Sequence, residues 1–141
     1  MNFKITAESG VTLHDCEITE WIFGEDITML FGDGFDVFED CPQNDTGRHK
    51  RTGKAAVVLK SADFVSGKLY LENNEEKQID KNDLTELELE ILDFKILPDS
   101  VILECDAWKN EKDAGFCELE FSCEKVLYCW NEYTDDAWFQ K

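Results

Sequence analysis

Apolar side chains fall at every second position through the C-terminal third of the chain. Cys117, Leu119, Phe121 and Cys123 alternate with Glu118, Glu120, Ser122 and Glu124. A strand sends successive side chains to opposite faces, so this pattern predicts a half-buried strand. Val126, Tyr128 and Trp130 continue the period. With Glu124-Lys125 as a tight turn, the opposed pairs are Cys123–Val126, Phe121–Tyr128 and Leu119–Trp130. All are apolar, and a slip of one residue would put each on the wrong face. Upstream, Pro98-Asp99 suits a type I turn. Pairing across it sets Ile96 opposite Val101, Phe94 opposite Leu103 and Leu92 opposite Cys105. The loop Lys109–Ala114, with Gly115 after it, then returns the chain. Cys105 is expected opposite Leu119, Leu103 beside Phe121 and Ala107 beside Cys117. The prediction is a four-strand antiparallel meander with one face on a core.

The rest of the chain reads as further short strands. Asn2–Thr6, Cys16–Phe23, Ile27–Phe31 and Phe35–Glu39 are separated by Gly/Asp clusters. Within Cys16–Phe23, Ile18 and Ile22 should share one face, with Trp21 and Phe23 on the other. Cys41–Gly53 has the composition of a loop. Lys54–Lys60 and Lys68–Glu72 read as strands, and Asn73–Asn82 as an exposed polar connection. From Asp83 two templates compete. Asp83-Leu84-Thr85-Glu86 has the form of a helix N-cap with an acid at N3, yet Leu87, Leu89 and Ile91 also alternate with glutamates. The apolar phase changes at Ile91–Leu92, which a regular strand cannot do. One helical turn at Asn82–Glu86 followed by a strand bulged near Ile91 reconciles the two. The expected fold is mainly β: antiparallel meanders forming a β-sandwich or half-barrel, with at most one short helix near 82–90. The 141 residues suffice for a single domain.

Charge changes the picture more than size does. With 32 acidic residues against 14 basic ones, the net charge is −18. Nucleic acid and anionic membranes are therefore expected to be repelled, and a basic protein attracted. No basic leader and no long apolar run stands in the sequence, so a cytoplasmic location is expected. The six cysteines form no C-x-x-C. Cys105, Cys117 and Cys123 fall on the expected core face, which favours reduced structural thiols over bridges or metal ligands. Oligomeric state is not legible.

Candidate chemistry is sparse. The chain has two histidines, and neither belongs to a metal-binding or catalytic motif. His14 and Asp15, as strand neighbours, would point to opposite faces. Asp33, Asp36, Glu39 and Asp40 do not follow calcium-loop spacing. Carboxylate pairs such as Glu118 and Glu120 are too common here to single out an acid–base couple. No cofactor, no metal and no enzymatic activity are expected. Two surfaces are informative. Glu86, Glu88, Glu90, Glu118 and Glu120 should form an acidic outer face with Trp108, a plausible anchor for a partner. Arg48, His49, Lys50 and Arg51 form a local charge inversion that reads either as an exposed loop or as a contact for an anionic group.

His14-Asp15-Cys16-x-Ile18, leading into paired strands, and the closing Cys123 and Val126-x-Tyr128-Cys129-Trp130-Asn131-Glu132 resemble small acidic, β-rich bacterial proteins. Some of these are immunity proteins of toxin systems. The resemblance implies a non-catalytic binding or inhibitor protein acting on a basic partner. A small-ligand-binding β-sandwich, with Trp21, Trp108, Tyr128 or Trp130 lining a cavity, is the alternative, as is a structural domain.

Overall fold

The computed structural model describes the backbone of residues 3–6 and, in full, residues 10–71 and 75–140. Asn2, Glu72, Asn73 and Lys141, which the sequence places in terminal strands, a connection and the tail, lie outside the described residues. The first strands are β1 (Phe3–Thr6), β2 (Val11–Thr12), β3 (Glu17–Ile18), β4 (Glu20–Phe23), β5 (Ile27–Phe31), β6 (Asp36–Val37) and β7 (Lys50–Thr52). Then come β8 (Ala55–Lys60), β9 (Asp63–Tyr70), β10 (Glu76–Gln78) and one helical turn, α1 (Lys81–Leu84). The last are β11 (Glu88–Ile96), β12 (Ser100–Lys109), β13 (Lys112–Ser122), β14 (Lys125–Trp130) and β15 (Tyr133–Asp136).

They form three antiparallel sheets in a mainly-β sandwich. The orders are β10-β9-β13-β12-β11-β3, β1-β14-β8-β5-β4 and β15-β7-β6-β2. The six-stranded and five-stranded sheets supply most of one core, with Leu103, Leu119 and Phe121 from the first and Met29, Val57 and Trp130 from the second. Trp21 of β4 stacks on Phe121 of β13 at 5.5 Å between ring centroids, tying the two layers together. Phe35, just before β6, plugs one end against Tyr128 and Trp130.

The meander is three strands long, not four. β11, β12 and β13 follow one another, but the neighbour beyond β13 is β9. β14 pairs instead with β1 and β8 in the opposite sheet. At the corner, Cys123 N–H donates to Asp99 O at 3.0 Å and Glu124 N–H to Lys60 O at 2.9 Å. Glu-Lys lacks the backbone preference of a two-residue hairpin turn, so nothing local closes the ladder. Val126, Tyr128 and Trp130 still bury, now facing the meander across the core. The β12–β13 register is also two residues from the expected one, with Cys105 opposite Cys117 and Leu103 opposite Leu119. A shift of two keeps every side chain on its face, so burial does not distinguish these registers.

The bulge is where the phase change placed it: Ile91 pairs with Cys105 and Asp93 with Glu104, leaving Leu92 extra. Leu92 therefore does not face Cys105. The helical turn starts one residue earlier than expected, and its N-cap is Asp80 rather than Asp83. The Asp80 carboxylate accepts from Asn82 N and Asp83 N, while Asp83 returns a bond to Asp80 N at 2.9 Å. Ile79 and Leu84, the staple positions of that capping box, are both buried, which favours this frame. Cys16–Phe23 is two strands, not one. The chain leaves the six-stranded sheet at Thr19, so Ile18 is buried while Ile22 is 51% exposed. Two stretches expected to lack strands carry short ones, β7 within Cys41–Gly53 and β10 within Asn73–Asn82.

Candidate functional site

Ile18 and Leu89 are register partners and both point into the core. Their neighbours Glu17 and Glu90, also partners, must therefore point outward together. The short strand β3 is held there by two backbone bonds to Ile91, next to the bulge. Asp15 N–H donates to Ile91 O at 2.8 Å and Ile91 N–H to Cys16 O at 2.9 Å. The His14 ring sits with Nδ1 2.8 Å from the carbonyl of Leu92, the bulge residue, and Nε2 3.4 Å from Asp15. His14 and Asp15 thus do meet, contrary to the expectation for strand neighbours. They lie in a turn, with Asp15 at φ 63°.

At Thr19 the chain crosses to β5, where its hydroxyl accepts from Gly32 N at 3.0 Å. That fixes the β5–β6 turn beside β3 and brings in Asp33. On the other side, Glu88 pairs with Trp108 of β12. A register shift after Ala107 sets Trp108 opposite Asp113, and Gly115, at φ 120°, takes the backbone close to Tyr70 O. A side chain at Gly115 would collide with that carbonyl.

The result is a recess of about 350 Å³. Asp15, Glu17, Asp33, Glu88 and Glu90 line it, with Trp108 as a wall and Arg51 as its cation. Arg51 is already engaged. Its Nη1 lies 3.1 Å from Asp36 Oδ2 and 3.3 Å from Cys16 Sγ, and Nε donates to Asp33 O at 2.9 Å. Asp36 is wholly buried, and burial raises its pKa, opposed by the Arg51 charge. Burial likewise pushes the Cys16 thiol up to about 11, so it stays a neutral thiol. Partial desolvation, then the charges of Glu88, Asp33 and Glu90, raise the pKa of Glu17. The carboxylates of Glu17, Glu88 and Glu90 receive no hydrogen bond or ion pair from any described residue.

The recess opens onto the outer face of the six-stranded sheet. One row across it reads Glu17, Glu90, Asp106, Phe116, Tyr70, Glu76. Another reads Asp93, Glu104, Glu118, Lys68, Gln78. Like charges directly opposed across strands each cost roughly 0.2–1 kcal/mol. A fully buried Phe, Leu or Ile on the inner face contributes about 1.5–3 kcal/mol. The core therefore holds this face in place against its own repulsion. Lys68 pairs with Glu76 at 3.4 Å, and Lys95 with Glu104 at 3.5 Å.

No family model, curated protein or solved structure matches this chain.

Of the residues singled out in the sequence, Glu88, Glu90 and Trp108 come together in the recess. Glu118 and Glu120 lie farther along the same face on β13. Glu86 stands off the end of β11 and pairs with Lys109 at 3.6 Å. The sequence reading missed Asp15, Glu17 and Asp33. Glu17 and its partner Glu90 are 73 positions apart in the chain, and no local signal joins them.

The basic stretch has a different structure. Arg48 and Lys50 both bind Asp136 at 2.8 Å, holding its pKa down at about 2. His49 packs on Phe38 and on Phe139 of the tail, and its Nδ1 accepts from Glu39 N at 3.1 Å. Asn44, buried, donates to Val37 O, Phe38 O and Arg48 O and so locks the loop. The tail docks through Ala137 and Phe139, whereas Trp138 is 70% exposed.

The other proposed aromatic lining residues are mostly core. Trp130 is fully buried, and Tyr128 borders a small recess of about 120 Å³ beside His14. A third, more apolar groove of about 320 Å³ lies between Leu69, Ile79 and Leu87 near α1. Among the described residues, no group of three or more His, Cys, Asp or Glu side chains is placed to hold a metal ion. All six cysteines are buried, and burial raises the Cys117 thiol to about 12. No helix among the described residues is long and apolar enough to cross a membrane.

Proposed function

We propose that the chain is a non-catalytic binding protein that docks a basic protein through the outer face of its six-stranded sheet. An inhibitor that covers a cationic enzyme, as an immunity protein covers its toxin, is the reading this surface supports best. One observation carries it. The row Glu17–Glu90–Asp106 sets carboxylate against carboxylate with no ion pair among the described residues, and Asp93–Glu104–Glu118 does so with only Lys95 and Lys68 beside it. A partner that brings cations to these rows relieves the repulsion as it binds, and the same field speeds encounter.

The test separates this face from net charge. Cytochrome c serves as a basic protein probe, with binding followed by surface plasmon resonance at low salt. Glu104→Lys with Glu118→Lys changes net charge as much as Asp40→Lys with Asp45→Lys. The first pair should weaken binding about tenfold, or about 1.4 kcal/mol, and the second pair little. Equal losses would show that net charge alone attracts the probe and would sink the reading. Binding should also fade as screening shortens from about 30 Å at 0.01 M salt to about 3 Å at 1 M.

A further inference from the structure

The recess differs from the rest of the acidic face in shape and in its wall. Elsewhere the carboxylates stand on an open sheet. Here the β3 edge, the β5–β6 turn and the β11–β12 pair enclose about 350 Å³. That lies in the range of roughly 300–1,000 Å³ typical of pockets that hold small groups. Trp108, 38% exposed, presents an aromatic surface to it, independently of the acid cluster. The single cation present, Arg51, is tied down by Asp36 and Asp33 and leaves the outer carboxylates uncompensated.

We propose that the recess is the specificity pocket of the docking face and takes one arginine side chain of the partner, its guanidinium between Glu17 and Glu90 and against Trp108. This rests on the docking reading given above. The chemistry selects arginine over lysine on two counts. Glu17 and Glu90 are direct cross-strand partners, so their Cβ atoms stand about 4.5–5.5 Å apart, a spacing at which the planar fork of a guanidinium can give each carboxylate a directed N–H bond. A guanidinium also stacks flat on an indole, while an ammonium is more strongly hydrated and gives up more on entering. The backbone beneath both glutamates is fixed by the buried pair Ile18 and Leu89, so only the side chains are left to be ordered on binding.

The experiment uses the whole chain, 15N-labelled, and three capped tripeptides: Gly-Arg-Gly, Gly-Lys-Gly and Gly-citrulline-Gly. Citrulline keeps the shape of arginine without its charge. The arginine peptide should shift the Trp108 indole signal and the Glu17 and Glu90 amides, with the lysine peptide binding about fivefold more weakly and citrulline not at all. Glu90→Gln and Trp108→Phe, the second keeping an aromatic wall, distinguish a lost clamp from a misfolded site. The first should weaken arginine binding about fivefold, the second by less. Equal shifts from arginine and lysine, or shifts centred on Glu104 and Glu118, would overturn the proposal. If that happens while the Glu104/Glu118 reversal still weakens cytochrome c binding, the pocket fails and the docking face stands. If the reversal has no special effect, the docking face fails whatever the peptides do.

Discussion

Charge gathers in two places on this protein, and the two treat it in opposite ways. In the 48–51 strand-and-loop region each arginine and lysine has found an acid. Arg48 and Lys50 share Asp136, and Arg51 covers the buried Asp36. At the β3–β11 edge of the six-stranded sheet, acids face acids, and the carboxylates of Glu17, Glu88 and Glu90 have no ion-pair partner among the described residues. The first region spends its charges internally, on tying β7 to β6 and β15. The second leaves them for something outside. Removing a charge should therefore destabilise the first and stabilise the second, and that difference in sign is the sharpest test of the comparison.

The largest effect is expected at Arg51. Arg51→Met leaves the carboxylate of Asp36 buried without its cation, and breaking such a pair from one side costs about 3–5 kcal/mol. The side chain of Arg51 is 25% exposed, which favours the lower end. The urea midpoint should fall accordingly, and Asp36→Asn added to Arg51→Met should recover much of the loss. The pH dependence gives a second handle. Burial already raises the folded-state pKa of Asp36, and losing Arg51 raises it further. The folded state then holds a proton that the unfolded chain has released, so the variant should lose stability as pH rises above the ordinary value of 3.8. A variant as stable as the parent at neutral pH would mean that this region is not closed by the pair.

On the acidic face the sign reverses. Glu17→Gln removes a partly desolvated charge set among Glu88, Asp33 and Glu90. It should raise stability by about 0.2–1 kcal/mol, the range for one like-charge cross-strand pair, while weakening binding of the arginine peptide. In the parent the folded-state pKa of Glu17 is raised above 4.5, so its contribution favours folding at low pH and is lost as pH rises through that window. The variant should lack this component. Urea melts between pH 4 and 7 measure both effects, and a destabilised Glu17→Gln protein would show that the carboxylate has an internal structural use.

Alternation made the strands legible because it depends on nearest neighbours. Leu103, Cys105 and Ala107, and Cys117, Leu119 and Phe121, bury as their spacing requires. The phase change at Leu92 revealed the bulge for the same reason. The partner of β14 was not legible. Val126, Tyr128 and Trp130 satisfy the same pattern beside β13 or across the core from it. The two-residue register difference between β12 and β13 is equally silent, since it exchanges one apolar pair for another. At the site, Glu88, Glu90 and Trp108 could be grouped because they sit on adjacent strands of one hairpin. Glu17 and Asp33 could not, because only the crossing at Thr19 and the pairing of β3 with β11 bring them there.

The smallest expected effect lies in the clamp on Asp136, and it tests whether the basic region is closed at its exposed end too. Hydrogen bonds from Arg48 and Lys50 hold the Asp136 pKa down at about 2, from 3.8. A depressed carboxylate contributes to stability above its ordinary pKa, and the contribution is lost as pH falls through the folded value. The clamp should therefore persist at pH 4 and release near pH 2. The Asp136 carboxyl 13C titration measures this directly. Asp136→Asn should speed amide exchange at His49 and Lys50 while the urea midpoint hardly moves, because exposed ion pairs contribute little. If Asp136 instead titrates near 3.8, Arg48 and Lys50 are not tied to it. They would then be free to meet an anion, and the basic stretch would become a second binding surface rather than an internal seam.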